Sequence, residues 1–119
     1  MKYVRFKDNI KEIIGEINSH YIVGRRKGRY KDLVQVNKKR IGIRLSDSIE
    51  ELCDALVVVA EDGGKEFHRY CPTASDSFDD LKKRYYEKYG WAIYGAIWTD
   101  DGLKYVAKMN KSKGELELL

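Results

Sequence analysis

Nearly the same heptapeptide occurs twice in the chain, and this repeat constrains the fold more than any other feature. SDSIEEL spans residues 46–52 and SDSFDDL spans residues 75–81. A serine with an acidic residue three positions later, next to apolar residues, is typical of a capping box at the start of a helix. Acidic residues in a first helical turn also interact favourably with the helix dipole. The repeat therefore predicts two helix starts, at Ser48 and Ser77, rather than a duplicated carboxylate or phosphate-acceptor site.

Apolar residues continue each heptapeptide at helical spacing. After Ser48 they are Ile49, Leu52, Cys53 and Leu56, and after Ser77 they are Phe78, Leu81, Tyr85 and Tyr89, ahead of a helix-ending Gly90. Each predicted helix is followed by two strand-like runs that flank Asp62-Gly63 or Asp101-Gly102. Because Asp-Gly between such runs is a strong hairpin signal, the pattern predicts two successive helix-plus-hairpin units.

The residues ahead of the first heptapeptide predict antiparallel strands. KYVRF, NIKEIIGEI and HYIVGR have strand-like composition, and the turn formers Lys7-Asp8-Asn9 and Asn18-Ser19 separate them. A length of 119 residues fits one domain. We therefore predict a single α+β domain over residues 1–119, in which an N-terminal antiparallel meander or small barrel precedes the two helix-plus-hairpin units.

Positive charge is concentrated between residues 25 and 44. The basic residues of this segment are Arg25, Arg26, Lys27, Arg29, Lys31, Lys38, Lys39, Arg40 and Arg44. With Asp32 as its only acid, the segment carries +8, whereas the rest of the chain carries −4 of an overall +4. Clustered basic side chains neutralise phosphates and release counterions, so the segment predicts binding of nucleic acid or a nucleoprotein. An acidic protein partner, or a merely solvated surface, would account for the same charges.

The sequence contains no signature of catalysis or of a bound cofactor. GxSxG, HExxH, GxGxxG and the phosphate-binding GxxxxGK[ST] pattern are all missing. His68 and Cys71 have a spacing seen in zinc sites, but a structural zinc needs four ligands and Cys53 falls on a predicted buried face. We therefore expect a protein that is not an enzyme, with no catalytic residues, no metal and no cofactor.

Four aromatic residues form an alternative interaction surface: Tyr86, Tyr94, Trp98 and Tyr105. The run WAIYGAIW at 91–98 is apolar on both faces, which is typical of a buried central strand. If some of these rings are exposed instead, they would mark a protein interface. This alternative is a protein-protein inhibitor that acts by occlusion.

Two stretches resemble a family of small proteins encoded by phages and prophages of Firmicutes. They are DSIEELCDALVVV at 47–59 and YGAIWTDDGLKYVAKMNKSKGELELL at 94–119. The resemblance implies a bacterial host cell, where short phage proteins without enzyme motifs act as accessory DNA-binding proteins or, like anti-CRISPR proteins, as inhibitors of defence complexes. It implies no catalytic residues, and the basic segment lies outside the resembling stretches.

The expected location is the cytoplasm of that host cell. The first residues carry charges every few positions and lack the continuous apolar stretch of a signal peptide. No apolar run approaches the roughly 20 residues that cross a bilayer. We therefore expect no membrane association, and the oligomeric state stays open.

Overall fold

The computed structural model describes residues 2–24, 34–69 and 77–119. The chain divides into two compact units, Met1–Ser48 and Ile49–Leu119, and each contains one five-stranded antiparallel sheet. The fold is thus mainly β, and the predicted α+β class with two helix-plus-hairpin units is wrong. The prediction of a single domain over residues 1–119 stays a prediction.

The first unit is a curled sheet with the strand order β4-β3-β2-β1-β5. Its strands are β1 (Tyr3–Phe6), β2 (Asn9–Ile17), β3 (His20–Gly24), β4 (Val34–Asn37) and β5 (Arg44–Ser46). Lys7 and Asn18 adopt positive φ angles of 52° and 46° in the two-residue turns after β1 and β2, as such tight hairpins require. Val4 of β1 and Val36 of β4 belong to one buried cluster although two strands separate them, so the sheet must curl around its core.

The second unit combines a sheet with one helix. The strand order is β10-β9-β8-β6-β7. The strands are β6 (Ala55–Val59), β7 (Lys65–Arg69), β8 (Ala92–Thr99), β9 (Gly102–Asn110) and β10 (Glu115–Leu118). Helix α1 spans residues 78–89 and has a wider, π-type segment at Lys82–Tyr86. The turn after β6 contains Asp62-Gly63, and in the next hairpin Asp101 ends the turn and Gly102 begins β9.

The first heptapeptide does not start a helix. It forms a single 3-10 turn at Glu50–Leu52, whose N-cap is Ile49, without a side-chain cap. The backbone N–H of Ser48 donates instead to Ser46 Oγ at 3.0 Å. The next residues, Ala55–Val59, are rich in β-branched valine and continue as a strand, because branched side chains pack well on a pleated surface. The apolar spacing after Ser48 therefore reflects one buried turn followed by a buried strand.

The second heptapeptide does start a helix, as predicted. Ser77 Oγ accepts a hydrogen bond from the backbone N–H of Asp80 at 3.2 Å, which is the expected cap. Phe78 and Leu81 are buried. Gly90, with a φ of 72°, ends the helix in the left-handed conformation.

Helix α1 packs on one face of the second sheet. The ring of Tyr85 lies 5.8 Å from that of His68, and its hydroxyl donates to Glu66 Oε1 at 3.4 Å. Successive side chains of a strand point to opposite faces, so Lys65 and Phe67 project from the other face. The side chains of β6, β8 and β9 that lie on the same face as Lys65 and Phe67 therefore form the surface opposite the helix.

Close packing on the helix side depends on Gly95 of β8. A Cβ atom at this position would lie 2.7 Å from Cys53 Sγ and 3.4 Å from Ala107 Cβ. Cys53 is buried directly after the 3-10 turn. Because Gly95 has no side chain, Cys53 packs into the space beside its backbone. Any other residue at this position would displace Cys53.

Candidate functional site

The basic segment is only partly described. Arg25, Arg26, Lys27, Arg29 and Lys31 lie outside the described residues. Lys38 Nζ lies 2.7 Å from Glu16 Oε2 and 5.1 Å from the ring centroid of Tyr21. The Arg40 guanidinium lies 5.5 Å from the ring centroid of Phe6. Lys38 is therefore paired with an acid of the same unit, and Arg40 lies over an aromatic ring.

The remaining two predicted residues of the segment are also described. Lys39 is exposed after β4, where its backbone N–H donates to Asn37 Oδ1 at 2.9 Å. Arg44 is an exposed residue of β5 and pairs across the sheet with Arg5 of β1. Neither residue lines either of the two cavities described below.

Three of the four predicted aromatic residues share the face of the second sheet opposite the helix. Phe67, Val57 and Tyr94 are direct cross-strand neighbours and so lie on one face. Tyr94, Ala96 and Trp98 are alternate residues of β8 and therefore lie on the same face. Tyr105 of β9 is the cross-strand partner of Ala96 and lies on this face as well. We call Phe67, Tyr94, Trp98 and Tyr105 the aromatic face.

Tyr86 does not belong to the aromatic face. It lies on α1, and its hydroxyl donates to the backbone oxygen of Lys111 at 3.4 Å. The helix occupies the opposite side of the sheet, so Tyr86 cannot contribute to the same surface. The sequence grouped it with the others because it is close to them along the chain.

Two rings of the aromatic face are unusually exposed for their size. Phe67 is 57% and Trp98 is 58% accessible to solvent. Tyr94 and Tyr105 stack on each other with centroids 5.1 Å apart and an interplanar angle of 26°. Exposed apolar rings grouped on one surface mark an interaction site more often than scattered ones.

Two lysines lie over the tyrosine rings of the aromatic face. Lys65 Nζ lies 5.5 Å from the ring centroid of Tyr105, and Lys108 Nζ lies 5.5 Å from that of Tyr94. No sequence motif marks either lysine or Phe67 as part of a site. Alternation in KEFHR groups Lys65 with Phe67, but this signal becomes useful only once the helix is known to cover the side of Glu66 and His68.

A cavity of about 470 Å³ opens between the two exposed rings. It is lined by Asp54, Ala55, Phe67 and Trp98. Ala55, which pairs with Ala96 across the sheet, is the small residue of this lining. Its volume is within the range of small-molecule sites, about 300–1,000 Å³.

Asp54 is held in a fixed position at the edge of this cavity. Its Oδ2 accepts a hydrogen bond from the backbone N–H of Trp98 at 2.9 Å, and its own backbone N–H donates to the oxygen of Ala96 at 2.9 Å. Both contacts tie the start of β6 to β8. The carboxylate is therefore positioned by backbone groups beside the ring of Trp98.

A second cavity, of about 450 Å³, lies at the hairpin between β9 and β10. Lys108 and Lys111 are among its lining residues. Glu117 also lines it, but its Oε1 accepts from Asn110 Nδ2 at 3.0 Å and lies 3.6 Å from Lys113 Nζ. Glu117 is also the cross-strand partner of Lys108, so this border next to Tyr94 carries charges of both signs.

Glu50 of the first heptapeptide and Asp79 of the second influence each other electrostatically. Burial raises the pKa of the Glu50 carboxyl, hydrogen bonding to its backbone opposes this, and the charges of Glu51 and Asp79 raise it further. Across the residues that the structure describes, no group of three or more His, Cys, Asp or Glu side chains could hold a metal ion. Cys71 lies outside those residues, and Cys53 is buried.

No protein-family model matches the chain, and neither a curated protein nor a solved structure is significantly similar to it. The resemblance to phage and prophage proteins stays a prediction. None of the described helices is long and apolar enough to cross a membrane.

Proposed function

We propose that this chain is a non-enzymatic binding protein that holds single-stranded nucleic acid on the aromatic face. The observation that carries the proposal is the placement of two exposed rings, Phe67 and Trp98, on the same surface as Lys65 and Lys108. Proteins that bind single strands combine aromatic rings, on which bases stack, with cationic side chains that follow the phosphates.

The energies of these contacts are adequate for such binding. Stacking of one base on one aromatic ring contributes about 1–3 kcal/mol, as measured by alanine substitution. Each phosphate neutralised by a lysine releases counterions, which makes binding strongly dependent on salt. Phe67 and Trp98 could therefore supply most of the affinity, while the lysines fix the path of the backbone.

A protein partner is the second candidate for the same surface. Tryptophan and tyrosine are frequent anchors of protein interfaces, and occlusion of a host complex would use Tyr94, Trp98 and Tyr105. Lysine, however, is depleted in the cores of such interfaces. Because Lys65 and Lys108 lie over the tyrosine rings, the surface fits a polyanion better than an apolar protein patch.

Tryptophan fluorescence tests the proposal directly, since the chain has two tryptophans in different settings. Trp98 is exposed on the aromatic face, whereas Trp91 stacks on Tyr85 and Tyr89 with centroids 5.7 Å and 4.8 Å away. The variant W91F retains only Trp98, so a bound oligothymidylate should quench its emission. In the matched variant W98F, emission from Trp91 should stay constant. The variant W98A, which removes the stacking ring, should lower the affinity by about five-fold or more.

The same proteins test the salt dependence of binding and the alternative of a protein partner. Affinity for oligonucleotides should fall steeply between about 50 and 200 mM salt. Absence of binding at about 50 mM salt would show that the proposal is wrong. Capture of a protein that survives nuclease and moderate salt, and is lost in W98F, would assign the aromatic face to a protein partner instead.

A further inference from the structure

The cavity between Phe67 and Trp98 offers two ring faces that the rest of the aromatic face does not. Tyr94 and Tyr105 already stack on each other, with centroids 5.1 Å apart, so each covers part of the other. Phe67 and Trp98 keep 57% and 58% of their surface accessible and border one cavity of about 470 Å³. A planar group that enters this cavity can therefore contact one ring on each of its two sides.

We infer that one unpaired base of the bound strand inserts between Phe67 and Trp98, and that this cavity selects purines over pyrimidines by the area that stacks. The inference rests on the proposed function and adds base selection to it. Both exposed rings then hold the same base, whereas the proposed function alone lets each ring stack on a different one.

The strand backbones beneath both rings are held in place before any ligand binds. Phe67 of β7 pairs with Val57 of β6, whose side chain is fully buried. The backbone N–H of Trp98, near the end of β8, donates to Asp54 Oδ2 at 2.9 Å. Ala55, which also lines the cavity, is too small to fill the space between the rings. A site that is already formed loses little conformational freedom on binding, which favours affinity.

Stacking area is the basis of the expected selection. A purine has two fused rings and a pyrimidine has one, so a purine covers more of each aromatic side chain. Proteins that bind single strands derive modest base preferences from stacking strength. Contact on both sides of the base makes the difference larger than a single ring would. Adenine and guanine differ in their hydrogen-bonding edges but share the fused rings, so the cavity should bind them equally.

The test of selection uses short fluorescein-labelled oligothymidylates that carry one central adenine, guanine, cytosine or unsubstituted purine, with affinity measured by fluorescence anisotropy. The purine-containing strands should bind equally tightly, and about three-fold or more tightly than the cytosine and thymine-only strands. Unsubstituted purine separates the two explanations, because it has the fused rings without the amino and carbonyl groups that read a base by hydrogen bonds. This comparison needs no change in the protein.

Variants at Phe67 separate ring stacking from apolar contact. F67L keeps an apolar side chain without a ring and should lose most of the purine preference, whereas F67W retains a ring and should keep it. Both changes are at an exposed position, so stability should change little. The matched control is Y89A, which removes an exposed ring of α1 on the opposite side of the sheet and should leave the preference unchanged.

A strand with a single base tests whether both rings hold it. An oligonucleotide with one adenine among abasic residues should bind more tightly than a fully abasic strand. F67L and W98A should each remove most of this advantage, because the same base contacts both rings.

Each outcome has a defined meaning. Equal affinity for all base-containing strands, selection of one purine alone, or a preference that survives in F67L would overturn the inference and leave the proposed function intact. A single-adenine strand that responds to only one of F67L and W98A, or that binds no more tightly than the abasic strand, would also overturn it. If no base-containing strand binds at about 50 mM salt, the proposed function itself fails.

Discussion

At the scale of single residues, the second unit contains one position whose side chain must be absent and one partly buried carboxyl group. Gly95 leaves room for Cys53, and the partly buried Glu50 lies within the electrostatic influence of Glu51 and Asp79. Neither role was visible in the sequence, because each depends on residues that are distant along the chain. Both can be tested by single substitutions.

The variant G95A should destabilise the protein by about 1–3 kcal/mol, as expected for an overpacked core. The new Cβ would lie 2.7 Å from Cys53 Sγ, so the cost should be smaller in a C53A background. Urea denaturation of the two single variants and the double variant measures this coupling. G15A is the control, because its Cβ would meet nothing closer than Ile22 Cδ1 at 3.8 Å. Additive effects of G95A and C53A would contradict the packing argument.

The pKa of Glu50 predicts a pH dependence of stability. Burial raises this pKa above the ordinary value of 4.5, so the folded state holds the proton more tightly than the unfolded chain. The resulting stabilisation is complete below the unfolded pKa and is lost as pH rises through the folded pKa. E50Q should therefore melt at a higher temperature than the unaltered protein at pH 7, and the difference should vanish below about pH 4.

The control for this pH prediction is E115Q, at an exposed position of β10. It should change the melting temperature little at either pH. A lower melting temperature of E50Q at pH 7 would mean that attraction to Lys82 outweighs burial, since Lys82 lowers the same pKa.

At the scale of elements, local sequence signals correctly predicted the hairpins and one helix. They failed at the first heptapeptide, because its apolar spacing fits a helix as well as a single turn followed by a strand. Asp62-Gly63 lies in one hairpin turn, Asp101-Gly102 spans the end of the next turn and the start of β9, and Ser77 caps α1. The first heptapeptide has the same local signals, yet a valine-rich strand begins only three residues after the turn Glu50–Leu52, so no helix can extend there. A spacing of three and four residues does not distinguish a single turn from a helix.

The candidate site was only partly predictable for a related reason. Tyr94, Trp98 and Tyr105 could be named from composition, but their common face follows from strand register. Phe67 and Lys65 could be assigned only after the contacts of Tyr85 showed which face of β7 the helix covers. Tertiary contacts between distant segments therefore define the aromatic face.

The difference between the two heptapeptides gives a direct prediction. S77A should lower stability by about 0.5–2 kcal/mol, because the backbone N–H of Asp80 loses its acceptor. S48A should have a much smaller effect, since Ile49 rather than Ser48 precedes the 3-10 turn and no side chain caps it. Thermal or urea denaturation measures both. Equal losses of stability in S48A and S77A would contradict the assignment of a single helix start. Loss of oligonucleotide binding in either variant at unchanged stability would show that the heptapeptides belong to a binding site.

At the scale of the whole molecule, the question is which positive charges contact a bound strand. The aromatic face supplies Lys65 and Lys108, whereas most of the charge lies between Arg25 and Arg44. Salt dependence separates these contributions, because each neutralised phosphate of a single strand adds about 0.7 to the slope of log K against log salt.

Neutralisation of the basic segment is the corresponding prediction. The combined change of Arg25, Arg26, Lys27 and Arg29 to Gln should reduce the salt slope by about 0.7 for each phosphate that these side chains neutralise, with little effect on the quenching of Trp98 at saturation. The control, K83Q with K88Q, removes exposed charges from α1 and should alter the slope less per charge. An unchanged slope in the quadruple variant would assign the segment to a solvated surface and leave the aromatic face as the sole binding surface.

The position of β7 at the end of its sheet has a consequence for the solubility of the chain. Among the described strands, β7 pairs only with β6, so its outer side presents backbone groups on which a strand of another molecule could add. Charged side chains at Lys65 and Glu66 oppose such edge-to-edge association, because lysines on edge strands disfavour it. Lys65 would thus serve both in ligand binding and as a gatekeeper against aggregation, and replacing it by an apolar residue should promote self-association.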